Sequence, residues 1–326
     1  MPRKIGSRLS IIVPLAFALG AGVASAQDKY PTKPIRLIVP FPPGFASDFL
    51  ARTTGQRLAE TYTQQIVIDN RPGAGGLIGS RIGARASPDG YTLMMVGQAH
   101  LINTLIHKNP DYHPFNDFAA VTQIALMPSV MVIAPNLPVK SLADLIALAK
   151  AKPGYYNFGS GGVGAWSHFS GEMFKAAAGI DIVHVPFRLL ADWVTEMAAG
   201  RVHLYVAPVP AVMPVLKTGK LRPLVATTSK RVIALPDVPT TIEAGLPDYQ
   251  TDNWFGIGAP AKTPRAIIEQ LNRDIVGILA EPGIRERFLA QGAEPASGTP
   301  EQFLKLQQDE YARVMKLVKE LGIKPG

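Results

Sequence analysis

Two glycine-bearing loops hold the residues whose types and spacing suit chemistry. The first is Pro42-Pro43-Gly44-Phe45-Ala46-Ser47-Asp48, between a short apolar run and an amphipathic helix pattern. The second is Gly159-Ser160-Gly161-Gly162-Val163-Gly164-Ala165-Trp166-Ser167-His168, again between an apolar run and a helical stretch, 169–178. A strand that empties through such a loop into a helix start leaves backbone N–H groups unpaired and aimed at one point. With the positive end of the helix dipole behind them, these donors suit a carboxylate or a phosphate. Glycine lets a ligand approach the backbone closely. Two such loops from opposing lobes would hold an anion without any charged side chain. A pair of ordinary strand–helix turns is the plainer reading. Asp48 is out of place beside an anion. Near a helix start it can accept backbone N–H bonds and orient the loop, or it can meet a protonated or hydroxyl group of a ligand.

Other chemistries find less support. The run Gly73-Ala74-Gly75-Gly76-Leu77-Ile78-Gly79 follows a strand pattern, yet Ile78 occupies the third glycine position of a dinucleotide fingerprint. A turn with tight helix packing explains it better. Gly159-Ser160-Gly161 lacks the nucleophile elbow, because Phe158 stands where that motif needs glycine. His168 beside Ser167 keeps a periplasmic hydrolase open as a second class of function, although adjacency at a helix start does not make a triad. His100, His107, Asp111 and His113 match no metal-ligand spacing, and a polar loop accounts for them. No cofactor is expected.

The elements that must position the two loops alternate strand and helix. Apolar, β-branched runs at 35–39, 65–69, 92–96, 130–134, 156–160, 182–185, 202–206, 221–227 and 254–257 read as strands, separated by helix-period segments. This is the pattern of mainly parallel sheets flanked by helices, an α/β fold. Ser141-Leu142-Ala143-Asp144 is a capping box, and Thr263-Pro264 and Thr299-Pro300 place an N-cap before a first-turn proline. Residues 300–321 form a long amphipathic helix with Phe303, Leu306, Tyr311, Met315 and Val318 on its apolar stripe. Strand runs near 130–135 and 253–257 stand where connections between two lobes would lie. One lobe would then be discontinuous, 27–135 plus 251–326, and the other would be 136–250.

The chain has 326 residues, more than one core usually serves. Arg3, Lys4 and Arg8 precede an apolar run that ends at Ala24-Ser25-Ala26, so 1–26 reads as a cleavable signal peptide. Its loss lowers the net charge of +8 by three, to +5, which is too mild and too scattered for nucleic-acid binding. With 0 Cys there is neither a disulfide nor a lipid-attachment site. An exported, unlipidated protein is retained only behind an outer membrane, which implies a Gram-negative periplasm.

Four segments carry a resemblance: YPTKPIRLIVPFPPGFASDFLAR (30–52), NRPGAGGLIGSRIGARASPDGYTL (70–93), ALPDVPTTIEAGLPDY (234–249) and NWFGIGAPAKTP (253–264). Together they resemble the tripartite tricarboxylate transporter solute receptors, the Bug or TctC-like family. The resemblance implies a type II periplasmic binding fold with two hinge crossings and a ligand carboxylate bound largely by backbone and small hydroxyl groups of the two loops. It also implies a permease with a large and a small membrane subunit, and a monomeric receptor. By the same resemblance the ligand-contacting set is Gly44, Phe45, Ala46, Ser47 and Asp48 in the first loop. In the second it is Ser160, Gly161, Val163, Gly164, Ala165, Trp166, Ser167 and His168.

The departures bear on which acid is bound. Phe45 replaces a usual glycine and Trp166 a small hydroxyl residue. In VPFRLLADWVTEMAAGRVH (185–203), Leu189 and Leu190 replace small residues, Asp192 a proline and Trp193 an alanine. Tyr205 and Ala207 lie on the next strand, where the family often has aspartates. Phe45, Trp166 and Trp193 could hold a flat ring, each contact adding about 1 kcal/mol beyond burial. Packing of these aromatics into a core or hinge is the alternative. Arg188 could pair with a second carboxylate or lie on a solvated face. An aromatic dicarboxylate such as terephthalate is therefore expected, with an aliphatic di- or tricarboxylate, an amino acid, or a sensory accessory role as alternatives.

Overall fold

The computed structural model describes residues 1–2, 30–162, 165–187, 190–251 and 253–320. The expected signal peptide, with Val163, Gly164 and Arg188, lies outside the described residues, residues 1 and 2 excepted. The strands are β1 (Ile35–Val39), β2 (Ile66–Asn70), β3 (Thr92–Gly97), β4 (Phe118–Met127), β5 (Ser129–Ile133), β6 (Asn157–Ser160), β7 (Val183–Pro186), β8 (Leu204–Pro208), β9 (Arg222–Ala226), β10 (Asn253–Pro260) and β11 (Glu294–Pro295). The helices are α1 (Ala46–Tyr62), α2 (Leu77–Ala84), α3 (Gln98–Ile106), α4 (Leu142–Ala151), α5 (Trp166–Ala178), α6 (Leu190–Ala198), α7 (Val209–Leu216), α8 (Arg265–Ala280), α9 (Pro282–Ala290) and α10 (Pro300–Glu320).

Two sheets result, ordered β11-β4-β10-β3-β1-β2 and β7-β6-β8-β5-β9. The strand–helix–strand units pair in parallel, β1 with β2 and β3, and β6 with β7 and β8. The strands that carry the chain between sheets run antiparallel to their neighbours: β10 to β3 and β4, β5 to β8 and β9. Both sheets are therefore mixed, within the expected two-lobed α/β architecture. Met127 still pairs with Asn253 in the first sheet, whereas Ser129 pairs with Pro208 in the second. The first crossing thus falls at Pro128, and the run near 130–135 lies wholly inside the second sheet.

β5 reads Ser-Val-Met-Val-Ile and is buried at every position, because both faces of its sheet are covered. Met131 and Ile133 pack with Phe158, Phe174 and Leu204 on one face, while Val130 and Val132 pack with Trp193, Tyr205 and Val212 on the other. The first sheet is packed by α1 and α8 through Leu50, Leu58, Leu271 and Ile275. α10 belongs to both cores: Phe303 packs with Trp254 beneath the first sheet, whereas Val314, Leu317 and Val318 join the second.

The Ser141–Asp144 capping box forms in both directions. Thr299 Oγ1 accepts from the Gln302 amide at 3.2 Å, and Gln302 Oε1 accepts from the Thr299 amide at 2.9 Å. At the Thr263-Pro264 pair the N-cap is Pro264 itself and α8 begins at Arg265, a one-residue shift. The run Gly73–Gly79 makes a 3-10 turn that opens α2. Strands β4 and β11 were not legible beforehand. β4 (FAAVTQIALM) is alanine-rich and lacks a β-branched run; its pairing with β10 holds it in the sheet. Of the four residues set aside as a metal site, three have separate partners. His100 is buried with Nδ1 3.2 Å from Ser80 Oγ, Asp111 meets Arg81, and His113 Nδ1 accepts the Phe115 and Asn116 amides. His100 thus belongs to the core and not to a polar loop, and burial pushes its imidazole down to about 3.

Candidate functional site

β1 delivers the chain to α1. Phe45 is the N-cap, extended at φ −74° and ψ 163°, and supplies no side-chain cap. The Asp48 and Phe49 amides reach back to the Phe45 carbonyl, both at 3.0 Å. The amides of Ala46 and Ser47 keep no acceptor among the described residues, as expected at a helix start. Ser47 is 3% exposed, and its hydroxyl likewise has no partner.

Asp48 is fully engaged by the protein. Its Oδ2 accepts from the Gly44 amide and Arg52 Nε, both at 2.9 Å, and its Oδ1 accepts from Asn70 Nδ2 at 2.9 Å. Burial by itself would raise this carboxyl, but hydrogen bonds from Arg52, Gly44 and Asn70 outweigh it and hold the group below its usual 3.8. Of its two expected roles, Asp48 fills the orienting one. Asn70 also donates to the Phe41 carbonyl at 3.0 Å and so ties the end of β2 to the loop. Sequence reasoning overlooked Arg52 and Asn70; the i,i+4 spacing of Asp48 and Arg52 was the available signal.

Asp48→Asn is expected to cost roughly 1–2 kcal/mol, since the amide cannot accept at both ends and brings an N–H against donors. The sign with pH follows from the depressed carboxyl. Its contribution is fully present above 3.8 and is lost only as pH falls through the lower folded value. The melting-temperature gap between wild type and variant should stay constant from pH 7 to about 4 and close below that.

β6 delivers the chain to α5 in the same manner. Ala165 is the N-cap without a side-chain cap, and the His168 and Phe169 amides bond its carbonyl. Trp166 and Ser167 amides have no acceptor among the described residues. Three of the loop glycine amides are taken up by the protein itself. Gly161 N donates to Ser167 Oγ at 2.9 Å, Gly162 N to Ser160 Oγ at 3.0 Å, and in the first loop Gly44 N to Asp48. The side chains that make such loops polar fold back to satisfy them. The open donors lie one step later, on the first turn of each helix.

The structure sorts the aromatic residues. Phe45 is 56% exposed and stacks on Phe41 with ring centroids 6.4 Å apart. Trp166 is half-buried against the second core, and its Nε1 is buried without an acceptor. Trp193 is 2% exposed, stacked on Tyr205 at 4.1 Å and 16°. It belongs to a core face, as does buried Ala207, which is the alternative the sequence left open for this ring. Ser160 is fully buried and lies 2.5 Å from His184 Nε2, a pair that sequence reasoning missed. Burial, then the ring of His168 4.2 Å away, pushes His184 down to about 4. Both of these imidazoles are neutral at pH 7; burial, with Lys175 nearby, lowers His168 as well.

No hydrogen bond, ion pair or ring contact joins the two loops among the described residues. Depressions of about 490 Å³ along α10 at Gln302, Leu306 and Arg313, and of about 350 Å³ at Ser141, Pro223 and Glu243, are lined by none of the expected site residues. The described residues contain neither a group of three metal-ligating side chains nor a helix long and apolar enough to cross a membrane.

Two mixed sheets joined by crossings, each sending a strand through a glycine loop into a helix start with open amides, define a two-lobed solute-binding protein. The chain belongs to the tripartite tricarboxylate transporter family receptors, whose family profile matches residues 50–323. Rpa4515 of R. palustris, solved with adipate, shares 38% identity and a TM-score of 0.81, covering 91% of this chain and 100% of that one. MatC from Rhodopseudomonas palustris, with bound malate, shares 30% identity and a TM-score of 0.75, covering 89% and 100%. Protein BugT of Bordetella pertussis is 35% identical over 94% of this chain and 96% of its own length.

Proposed function

We propose that this chain is a periplasmic receptor that closes two lobes over an organic dicarboxylate and presents the closed form to a membrane permease. One lobe is built on the first sheet and the other on the second. The crossings are at Pro128 and between β9 and β10, so the first boundary falls several residues before the 135/136 division expected from sequence, and the second falls near the expected 250/251. The observation that carries the reading is the pair of helix starts with open N–H groups at Ala46–Ser47 and Trp166–Ser167. Both donor pairs sit at the positive ends of helices of 17 and 13 residues, where negative charge is stabilised.

A flat aromatic diacid such as terephthalate fits the exposed Phe45 ring and the half-buried Trp166, with Arg188 proposed for the second carboxylate. An aliphatic diacid is the second reading, favoured by the withdrawal of Trp193 into the core and by the adipate- and malate-bound relatives. The receptor acts as a monomer without turnover; Ser160 and Ser80, each paired with an imidazole, are both buried.

Purified protein should gain about 2.7 kcal/mol at a hundredfold excess of ligand over Kd. That corresponds to roughly 4 °C in melting temperature for a chain of this length. A panel of terephthalate, adipate, citrate and glutamate separates the readings. A shift with adipate alone selects the aliphatic one, and no shift with any acid rejects carboxylate capture. Ester turnover abolished by Ser160→Ala or Ser167→Ala would replace the receptor with a hydrolase. Ligand-dependent capture of a sensor kinase from membranes, instead of a permease, would make it a sensory accessory.

A further inference from the structure

We propose that Tyr205 is a positioning residue that makes the Ser167 hydroxyl an obligatory donor, so that this half of the site selects an acceptor-only acid group over its neutral amide. The inference rests on the carboxylate reading above. Ser167 Oγ accepts from the Gly161 amide at 2.9 Å and from the Tyr205 hydroxyl at 3.3 Å. A serine hydroxyl has two lone pairs and one proton, so both acceptor places are taken and only the proton remains. Ser167 is 9% exposed, and that proton meets no acceptor among the described residues. A buried donor left unpaired is costly, and a ligand oxygen relieves it. The neighbouring amides of Trp166 and Ser167 can also only donate. Three donors at one helix start match a carboxylate and oppose an amide N–H.

Tyr205 is held in place for this task. One face of its ring lies on the Trp193 indole at 4.1 Å. The ring also crowds Gly159, where an added Cβ would sit 2.8 Å from a ring carbon, so any larger residue there would push the phenol off Ser167. Burial raises the phenol above its ordinary 10.0, which keeps it protonated at neutral pH. Trp193, which backs that ring, therefore bears on specificity without touching the ligand.

The test compares dissociation constants by calorimetry for terephthalate against terephthalamide and adipate against adipamide, with wild type, Tyr205→Phe, Ser167→Ala and Ser167→Thr. Tyr205→Phe keeps the stack on Trp193 and should melt near wild type. It frees a lone pair on Ser167, so the acid-to-amide ratio should fall at least tenfold. Ser167→Ala should lose the discrimination as well, and Ser167→Thr should retain it. A Tyr205→Phe protein with an unchanged ratio overturns the relay while leaving carboxylate capture intact. A wild type that binds neither acid overturns both. Should Tyr205→Phe fold poorly, the contrast between Ser167→Ala and Ser167→Thr decides, and equal ratios in the two overturn the relay.

Discussion

Gly171→Ala is expected to destabilise the protein by about 2–3 kcal/mol and to weaken ligand binding with it. Gly171 lies on α5, on the face turned to β6. A Cβ there would fall 2.1 Å from Phe158 Cε2 and 2.2 Å from Cδ2, inside the ring's van der Waals surface. Phe158 is 1% exposed and stacks on His184 at 5.0 Å, so the ring has nowhere to go. Overpacking of this kind costs about 1–3 kcal/mol, occasionally more, and an overlap this deep falls at the upper end. Alanine returns about 1 kcal/mol through helix propensity, which does not offset it. α5 would have to lift from the sheet, and its first turn, with the open Trp166 and Ser167 amides, would lift with it. Urea unfolding should show the loss as a lower midpoint with an unchanged slope. Phe158→Leu in the same chain should recover part of it, giving a favourable coupling of roughly 1 kcal/mol or more. A midpoint equal to wild type would mean that α5 is not seated as closely as this geometry states.

The same closeness explains what the sequence could and could not reveal. β1 was legible to the residue because Ile35–Val39 is a β-branched run stopped by Pro40. β4 was not, since its place is dictated by eight partners on β10 rather than by its own composition. Likewise the loops at Gly44 and Gly161 announce a helix start with free donors, and that part holds. Ser160, Ser167 and Asp48, which made the loops resemble a binding site, are the groups that consume the glycine amides. Local sequence cannot say whether a hydroxyl turns toward its own backbone or toward a ligand. Which way Trp193, Tyr205 and Ala207 face was illegible for a different reason. β8 is buried on both faces, Leu204 and Val206 toward one core and Tyr205 and Ala207 toward the other, so hydrophobicity carries no sign of direction. Alignment with relatives names such positions without fixing what they touch.

Phe303→Ala is expected to cost about 3–5 kcal/mol, the largest single effect proposed, because it empties a site that both lobes depend on. Phe303 is 2% exposed and meets Trp254 edge-on at 5.4 Å, and Gly256 leaves the ring its place against β10. Farther along α10, Val314, Leu317 and Val318 enter the second core, and Arg313 bonds both the Gln250 carbonyl and Glu310. The helix is thus a third connection between the lobes, beside the two strand crossings. A rigid element shared by two cores makes them unfold together. Wild type should therefore show one transition when followed by tryptophan fluorescence and by far-ultraviolet dichroism. Phe303→Ala should move both signals to a lower denaturant concentration together. The fluorescence change should be read against a Trp254→Phe control, since Trp166 and Trp193 report on the second lobe. Leu317→Ala, at the opposite end of the helix, should act on the first-lobe signal as strongly as on the second. Two separated transitions, or a Leu317→Ala protein in which Trp254 still unfolds at the wild-type midpoint, would show that α10 belongs to one lobe and merely leans on the other. If the transitions stay joined, lobe closure has to carry the tail of α10 with the second sheet. The angle available for ligand capture is then set by how far this helix can pivot about Phe303.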